Sequence, residues 1–276
     1  MSSCNAMKSQ ILALLGDQQL RMTPLALERA LCNQRSLLSK KLIRSLIKEM
    51  VAEGSLLYTS HFNTTHLELN YNRPIQVSDR IILSPHICSS LNSNPKALLI
   101  KMDQGSAFGI GDHPTTRLSL RAVDVVMDDA LRIGSFEGFQ ALDIGTGSGV
   151  LAIAAVGLGA ARAVGIDIDP VALHEAGKNI QLNGMKHKII LTTDFLESLG
   201  DSRFSLVMAN VRPPTLKQML PVIEKLSTSE AYWVFSGFRE EALENFVANL
   251  PSHGSRILWK EKSCGWAALA AKYERK

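Results

Sequence analysis

Four cysteines stand in 276 residues, Cys4, Cys32, Cys88 and Cys264, and no two share a C-x-x-C spacing. That scatter argues against a zinc site and predicts free thiols in a reducing cytoplasm. No apolar run approaches 20 residues, so no membrane span is expected. The N-terminus lacks the Lys/Arg-then-apolar pattern of a secretory signal. Internal repeats and low-complexity segments are also missing. What remains is an ordinary globular chain. Its apolar content of 46% supports a real core, and its length leaves room for one large domain plus a small one.

Charge is placed unevenly. Residues 1–90 carry 10 Lys/Arg and 6 Asp/Glu, whereas residues 91–276 carry 20 of each, so the formal excess of +4 sits in the N-terminal third. Within that third, residues 1–84 read as a small module. Ser9 to Leu15 is a short apolar helix. Thr23-Pro24 is an N-cap followed by Pro at the first helical position, opening a helix to Leu31. Ser39 caps a third helix, Lys40 to Glu53, with an apolar stripe of Leu42, Ile43, Leu46, Ile47 and Met50, and Gly54 stops it. Two β-rich runs follow, Ser55 to His61 and Thr65 to Tyr71. Three helices and a hairpin is the order of a winged helix, a relative of the helix-turn-helix. The third helix turns Lys40, Lys41, Arg44 and Lys48 away from its apolar stripe. Two readings stay open: a nucleic-acid or ribosome-facing surface, or a protein-docking module with a solvated basic face. A net of +4 is modest, which favours the second. His61 and His66 read as surface strand residues.

Residues 85–96, rich in Ser, Asn and Pro, read as a linker. Residues 97–276 form the larger domain, organised around Ala141 to Asp169, ALDIGTGSGVLAIAAVGLGAARAVGIDID. Ala141 to Ile144 are apolar except for Asp143 and look like a buried strand. Gly145, Gly147 and Gly149 then recur at every second position, letting the backbone turn sharply and approach a ligand. Val150 to Gly159 reads as a buried helix, and Ala163 to Ile166 as a second strand ending in Asp167. The unit brings helix N–H groups to the turn and a carboxylate to the second strand's tip, where ribose hydroxyls bind. A dinucleotide site wants G-x-G-x-x-G/A. Here Val150 takes the sixth position, and the G-x-G-x-G spacing with Asp143 two residues before it resembles motif I of class I S-adenosylmethionine (SAM) methyltransferases. Ahead of it, Ala97 to Met102 is a strand. Gly105 to Thr116, GSAFGIGDHPTT, is a shaped loop that opens a helix to about Leu131 and is placed to close over a ligand.

Together, AFGIGDHPTT, LDIGTGSGVLAIAA, VGIDIDP and ANV strongly resemble the PrmA family, methyltransferases acting on a lysine-bearing protein of the large ribosomal subunit. The resemblance covers residues 97–276. Ile110 stands where the family has Thr, Asp112 fills its variable position, and Val211-Arg212-Pro213-Pro214 follows Asn210 where the family has Ile-Leu. The family's recognition domain is α+β, unlike the module read here. The resemblance implies SAM contacts by Thr116, Gly145, Asp167 and Asn210.

After Asp167 the chain alternates as a Rossmann-like α/β domain does. A helix over Pro170 to Leu182 precedes strand three, which ends near Asp194. Strand four runs from Phe204 and ends at Asn210. Pro214 to Leu226 is a helix, Ala231 to Phe235 strand five, and Arg239 to Asn249 a helix. A terminal hairpin, Arg256 to Lys260 and Trp266 to Lys272, turns through Ser263-Cys264-Gly265. In such sheets ligands bind beyond the carboxyl ends of the strands. The candidate cofactor residues are therefore Phe108, Thr116, Asp143, Gly145, Gly147, Gly149, Asp167, Ile168, Asp194 and Asn210. A sulfonium methyl is already activated, so no metal and no covalent nucleophile is required, and the task is orientation. Asn210 is placed to accept an N–H bond from the attacking nitrogen and aim its lone pair. Phe108 is a cover for the cofactor or a face for the cation. His113 has a useful pKa range for a proton acceptor, but beside Pro114 a structural hydrogen bond is the better reading. The expected activity is N-methylation of a protein, with S-adenosylhomocysteine as the product. Methylation of RNA or a small molecule, and a regulator that senses SAM without catalysis, are the alternatives.

Overall fold

The computed structural model describes residues 3–15, 22–34, 39–61, 64–70, 74–86, 97–103, 113–134, 138–250 and 255–275. The chain divides into two compact units, residues 1–73 and 74–276. The division falls earlier than the expected boundary at 84. The reason is strand pairing, since residues 81–85 join residues 98–102 in a parallel ladder. Most of the expected linker lies outside the described residues.

The first unit holds α1 (Ser3–Leu15), α2 (Pro24–Gln34), α3 (Lys40–Ala52) and a hairpin of β1 (Leu56–His61) and β2 (Thr64–Leu69). The caps read from the sequence are made. Thr23 Oγ1 accepts the Ala26 N–H at 3.1 Å, and Ser39 Oγ accepts the Leu42 N–H at 3.2 Å. Met22 bridges Leu67 of β2 in antiparallel fashion. Ile11, Leu27, Leu31, Ile43, Leu46, Ile47, Met50 and Leu67 form one core. Leu42, expected in the buried stripe of α3, is instead 42% exposed, since it falls a third of a turn from Ile43 toward solvent.

The second unit opens with β3 (Ile75–Gln76), β4 (Ile81–Pro85) and β5 (Leu98–Met102), a three-stranded sheet of its own. Then come α4 (Pro114–Arg132), β6 (Gln140–Ile144), α5 (Val150–Gly157), β7 (Arg162–Ile166), α6 (Pro170–Leu182), β8 (Ile189–Thr192), β9 (Phe204–Asn210), α7 (Pro213–Leu226), β10 (Ser227–Arg239), α8 (Leu243–Ala248), β11 (Ser255–Ser263) and β12 (Trp266–Glu274). Seven strands form one sheet in the order β11-β12-β10-β9-β6-β7-β8. Strands β10, β9, β6, β7 and β8 are mutually parallel, and β12 slots antiparallel between β10 and β11. The hairpin turn is the expected one. Cys264 and Gly265 both have positive φ, 52° and 75°, as a two-residue turn of the primed type demands.

Two apolar layers sandwich this sheet, one containing α4 and α5, the other α7 and α8. Every residue of α5 from Val150 to Val156 is buried, which explains its unbroken Ala/Val/Ile/Leu composition. On the other face Trp233 stacks on Tyr273 with ring centroids 4.4 Å apart. Burying such rings contributes about 2–3 kcal/mol each.

Candidate active site

Register brings the strand tips together. Ile144 pairs with Ile166 on one side and Ala209 on the other, and Ile166 pairs with Thr192. Gly145, Asp167 and Asn210 come next in their strands and so share one row at the carboxyl edge of the sheet. Asn210 pairs onward with Ser236 of β10.

The glycine turn is held from below. Asp143 Oδ2 accepts the Thr146 hydroxyl at 2.7 Å and the Ala152 N–H at 3.2 Å. Gly145, Gly147 and Gly149 have φ of 68°, 54° and 81°, a left-handed run that L-residues with a Cβ resist. A Cβ on Gly149 would also stand 3.2 Å from Ala176 Cβ of α6. Gly149 caps α5 without any side-chain bond to its first amides.

Asp167 stands at the tip of β7. Its Oδ2 accepts the Gly147 N–H at 2.9 Å, and its Oδ1 accepts the Asp169 N–H at 3.0 Å. A carboxylate has about four acceptor lone pairs, so two backbone bonds fix its orientation and leave capacity for hydroxyls. Beside it Ile168 is 84% exposed, and Phe195, next to Asp194, is 73% exposed. Asp194 Oδ2 accepts the Thr192 hydroxyl at 2.7 Å. The sequence reading passed over Phe195; the signal was its place directly after the acid that follows β8.

Among the described residues, Thr116 Oγ1, Asp143 Oδ1, Ser148 Oγ and Asn210 Oδ1 are buried without a hydrogen-bond partner. Leaving such an atom unpaired costs about 1–3 kcal/mol, and Thr59 Oγ1, Ser78 Oγ and Ser255 Oγ are in the same state away from the strand tips. His113 makes the structural bond expected of it. Its Nδ1 accepts the Thr115 N–H at 3.2 Å and caps α4. Its ring meets Trp266 edge-on at 4.9 Å, and Arg239 lies over Trp266 at 4.2 Å. Arg239 and Trp266 are cross-strand partners at the carboxyl end of β10, a row that periodicity alone does not reveal. Phe108, with the loop around it, lies outside the described residues. No group of three potential metal ligands occurs among the described residues.

The profile of the family "Ribosomal protein L11 methyltransferase (PrmA)" matches residues 56–274. The chain belongs to the PrmA family. A ribosomal protein L11 methyltransferase of Geotalea daltonii is 33% identical over 207 residues, 72% of this chain and 64% of that protein. One from Desulfitobacterium hafniense is 29% identical over 74% of this chain and 62% of its own length. The chain thus spans less than two thirds of these relatives. A crystal structure of ribosomal protein L11 methylase from Lactobacillus delbrueckii subsp. bulgaricus superposes with a TM-score of 0.63 at 27% identity, covering 74% of this chain and all of that one. The PrmA match begins at residue 56, inside the hairpin of the first unit, earlier than the expected 97. The Pro213-Pro214 departure has a local reason, since the pair fills the first turn of α7, where missing N–H groups cost nothing.

PrmA membership implies SAM, and the residues present fit it. Asp167 offers a carboxylate to a ribose diol. Ile168 and Phe195 offer apolar surface to an adenine beside Asp194. The glycine turn and Thr116 offer open backbone and an unpartnered hydroxyl to the methionine end.

One consequence concerns pH. Burial pushes the Asp143 carboxyl from its ordinary 3.8 up to about 6, against the opposing pull of its bonds from Thr146 and Ala152. The folded state therefore binds this proton more tightly than the unfolded chain. The resulting stability is full below pH 3.8 and is lost as pH rises through 6, a swing of about 3 kcal/mol. Asp143→Asn keeps an acceptor for Thr146 and Ala152 but cannot ionise. Urea unfolding at a series of pH values is expected to show this downward slope in the wild type and a flatter profile in the variant. Identical profiles would contradict the assignment.

Proposed function

We propose that this chain is a cytoplasmic SAM-dependent N-methyltransferase acting on amino groups of a protein, with ribosomal protein L11 as the first candidate acceptor. The observation that carries the reading is Asn210. It sits at the tip of β9, in the row with Gly145 and Asp167, with Oδ1 buried and unpartnered. A carbonyl in that position accepts an N–H from an incoming amine and aims its lone pair. SAM, held by the glycine turn and Asp167, would supply a methyl group already activated by its sulfonium. The amine must arrive neutral, and the methylated ammonium then releases one proton to water. Asp167 and the glycine turn fix the donor, so the chemistry reduces to alignment. His113 is committed to capping α4 and is not needed as a base.

Family membership supports this reading, and Asn210 gives it a specific test. The purified protein with methyl-tritiated SAM is expected to label a protein in a fractionated lysate, in the ribosomal pool first. Asn210→Ala is expected to lower kcat about a hundredfold, the scale of a misplaced nucleophile, with SAM affinity changed much less. Label confined to RNA or small molecules would overturn the protein reading. A kcat unchanged in Asn210→Ala would remove its role.

A further inference from the structure

The first unit carries a basic surface. Residues 1–73 hold nine Lys/Arg against five Asp/Glu, so the formal excess of the whole chain lies in this unit. In α3, Lys41, Arg44, Ser45 and Lys48 recur at i, i+3, i+4 and i+7 and are all exposed, opposite the buried face of Ile43, Leu46, Ile47 and Met50. The stripe follows directly on Lys40, and no acid occupies the helix's first turn.

This arrangement runs against helix stability. An N-terminus already bears partial positive charge, so cations there are unfavourable and acids preferred. The acids of the segment, Glu49 and Glu53, stand at the opposite end, where Lys8 Nζ holds them at 2.6 and 2.7 Å. Their charge is thereby offset, and the field over the first two turns stays positive. Arg44 is oriented from beneath. Its Nε donates to Glu28 Oε2 at 2.6 Å, with the Arg44 side chain 64% exposed and that of Glu28 only 4%. Arg44 and Lys48 rim a shallow groove whose apolar floor includes Leu25, Ile47 and Tyr58. From Lys41 to Lys48 the stripe is about 10 Å long at 1.5 Å per residue, close to the ~12 Å width of a B-form major groove.

We propose that α3 docks on the phosphate backbone of a DNA duplex, with Lys41, Arg44 and Lys48 as its phosphate contacts and Lys40 adding to the field. Helices α2 and α3 precede the β1–β2 hairpin, and in helix-turn-helix proteins the second helix of such a pair is the one that enters the major groove. A-form RNA closes its major groove to side chains, so DNA is favoured over duplex RNA.

The test is fluorescence anisotropy of the full chain with a mixed-sequence DNA duplex, an RNA duplex of the same sequence, and polyglutamate. Saturable DNA binding is expected at low salt, at least tenfold tighter than RNA. The double variant Lys41→Ser/Lys48→Ser is expected to weaken it about tenfold or more. It should also make the slope of log K against log salt shallower by about 2, near 0.9 per phosphate. SAM binding by the same variant should be unchanged, which separates lost docking from misfolding. Lys186→Ser, an exposed lysine of the second unit, should alter neither. No saturable DNA binding, equal or tighter RNA binding, or an unchanged slope in the double variant would overturn the proposal. Binding of polyglutamate alone would assign the face to an acidic protein, and that too overturns it. Methyltransferase activity can fail without touching this result, because the readout is duplex binding.

Discussion

Asp167→Ala is expected to lower SAM affinity about a thousandfold. Asp167 serves twice. Its two oxygens hold the amides of Gly147 and Asp169, at 2.9 and 3.0 Å, and so lock the glycine turn to the start of α6. In the proposed reading its remaining lone pairs accept the hydroxyls of a ribose diol. Hydrogen bonds to a charged acceptor contribute about 1.5–3 kcal/mol each. Losing two therefore costs about 4 kcal/mol of binding, and every 1.4 kcal/mol is tenfold. Asp167→Asn keeps an oxygen acceptor without the charge and should fall between. Titration calorimetry of SAM into wild type and both variants checks the order. Wild-type affinity in Asp167→Ala would remove the carboxylate from the site.

Gly237→Ala is expected to be the most damaging single methyl addition on the sheet. Gly237 is the bulge residue of β10, where pairing with β12 shifts between Ser236 and Phe238, and its φ is 93°. A Cβ there would stand 2.4 Å from Val211 O and 2.9 Å from Val211 N. Those are backbone atoms, so no side chain can swing aside. Val211 follows Asn210, and its Cγ1 also lies 2.9 Å from where a Cβ on Gly145 would be, so the strain reaches the strand tips. A left-handed conformation costs an L-residue about 1–2 kcal/mol, and the clash brings the total to about 3 kcal/mol or more. For a unit of this size that lowers Tm by about 6–12 °C. Where the variant still folds, kcat should drop more than SAM affinity, because Asn210 is displaced. A Tm within about 2 °C of wild type, roughly the size of a surface effect, would contradict the packing.

These two residues show where the sequence was legible. The place of Asp167 at a strand tip beside the glycine turn is legible because it is encoded locally, one helix and one strand away from the glycines. The same holds for Thr23 and Ser39 as caps, and for the Cys264-Gly265 turn. Gly237 was not visible. Its neighbour is Val211, and only the pairing of β9 with β10 brings them together. Trp266 and Arg239 were missed for the same reason, since their stacking is a product of the β10–β12 register. The expected domain boundary failed on a parallel pair, residues 81–85 with 98–102, whose partners are separated by an unpatterned segment. Leu42 failed more simply. An apolar residue at the edge of a helical stripe can point either way, and here it joins the basic face.

The central claim is that the row of strand tips binds SAM. Equilibrium dialysis of the purified chain with labelled SAM tests it without needing the acceptor. One saturable site per chain is predicted, emptied by excess S-adenosylhomocysteine and left filled by excess NAD. No saturable uptake, or displacement by NAD, would contradict the account.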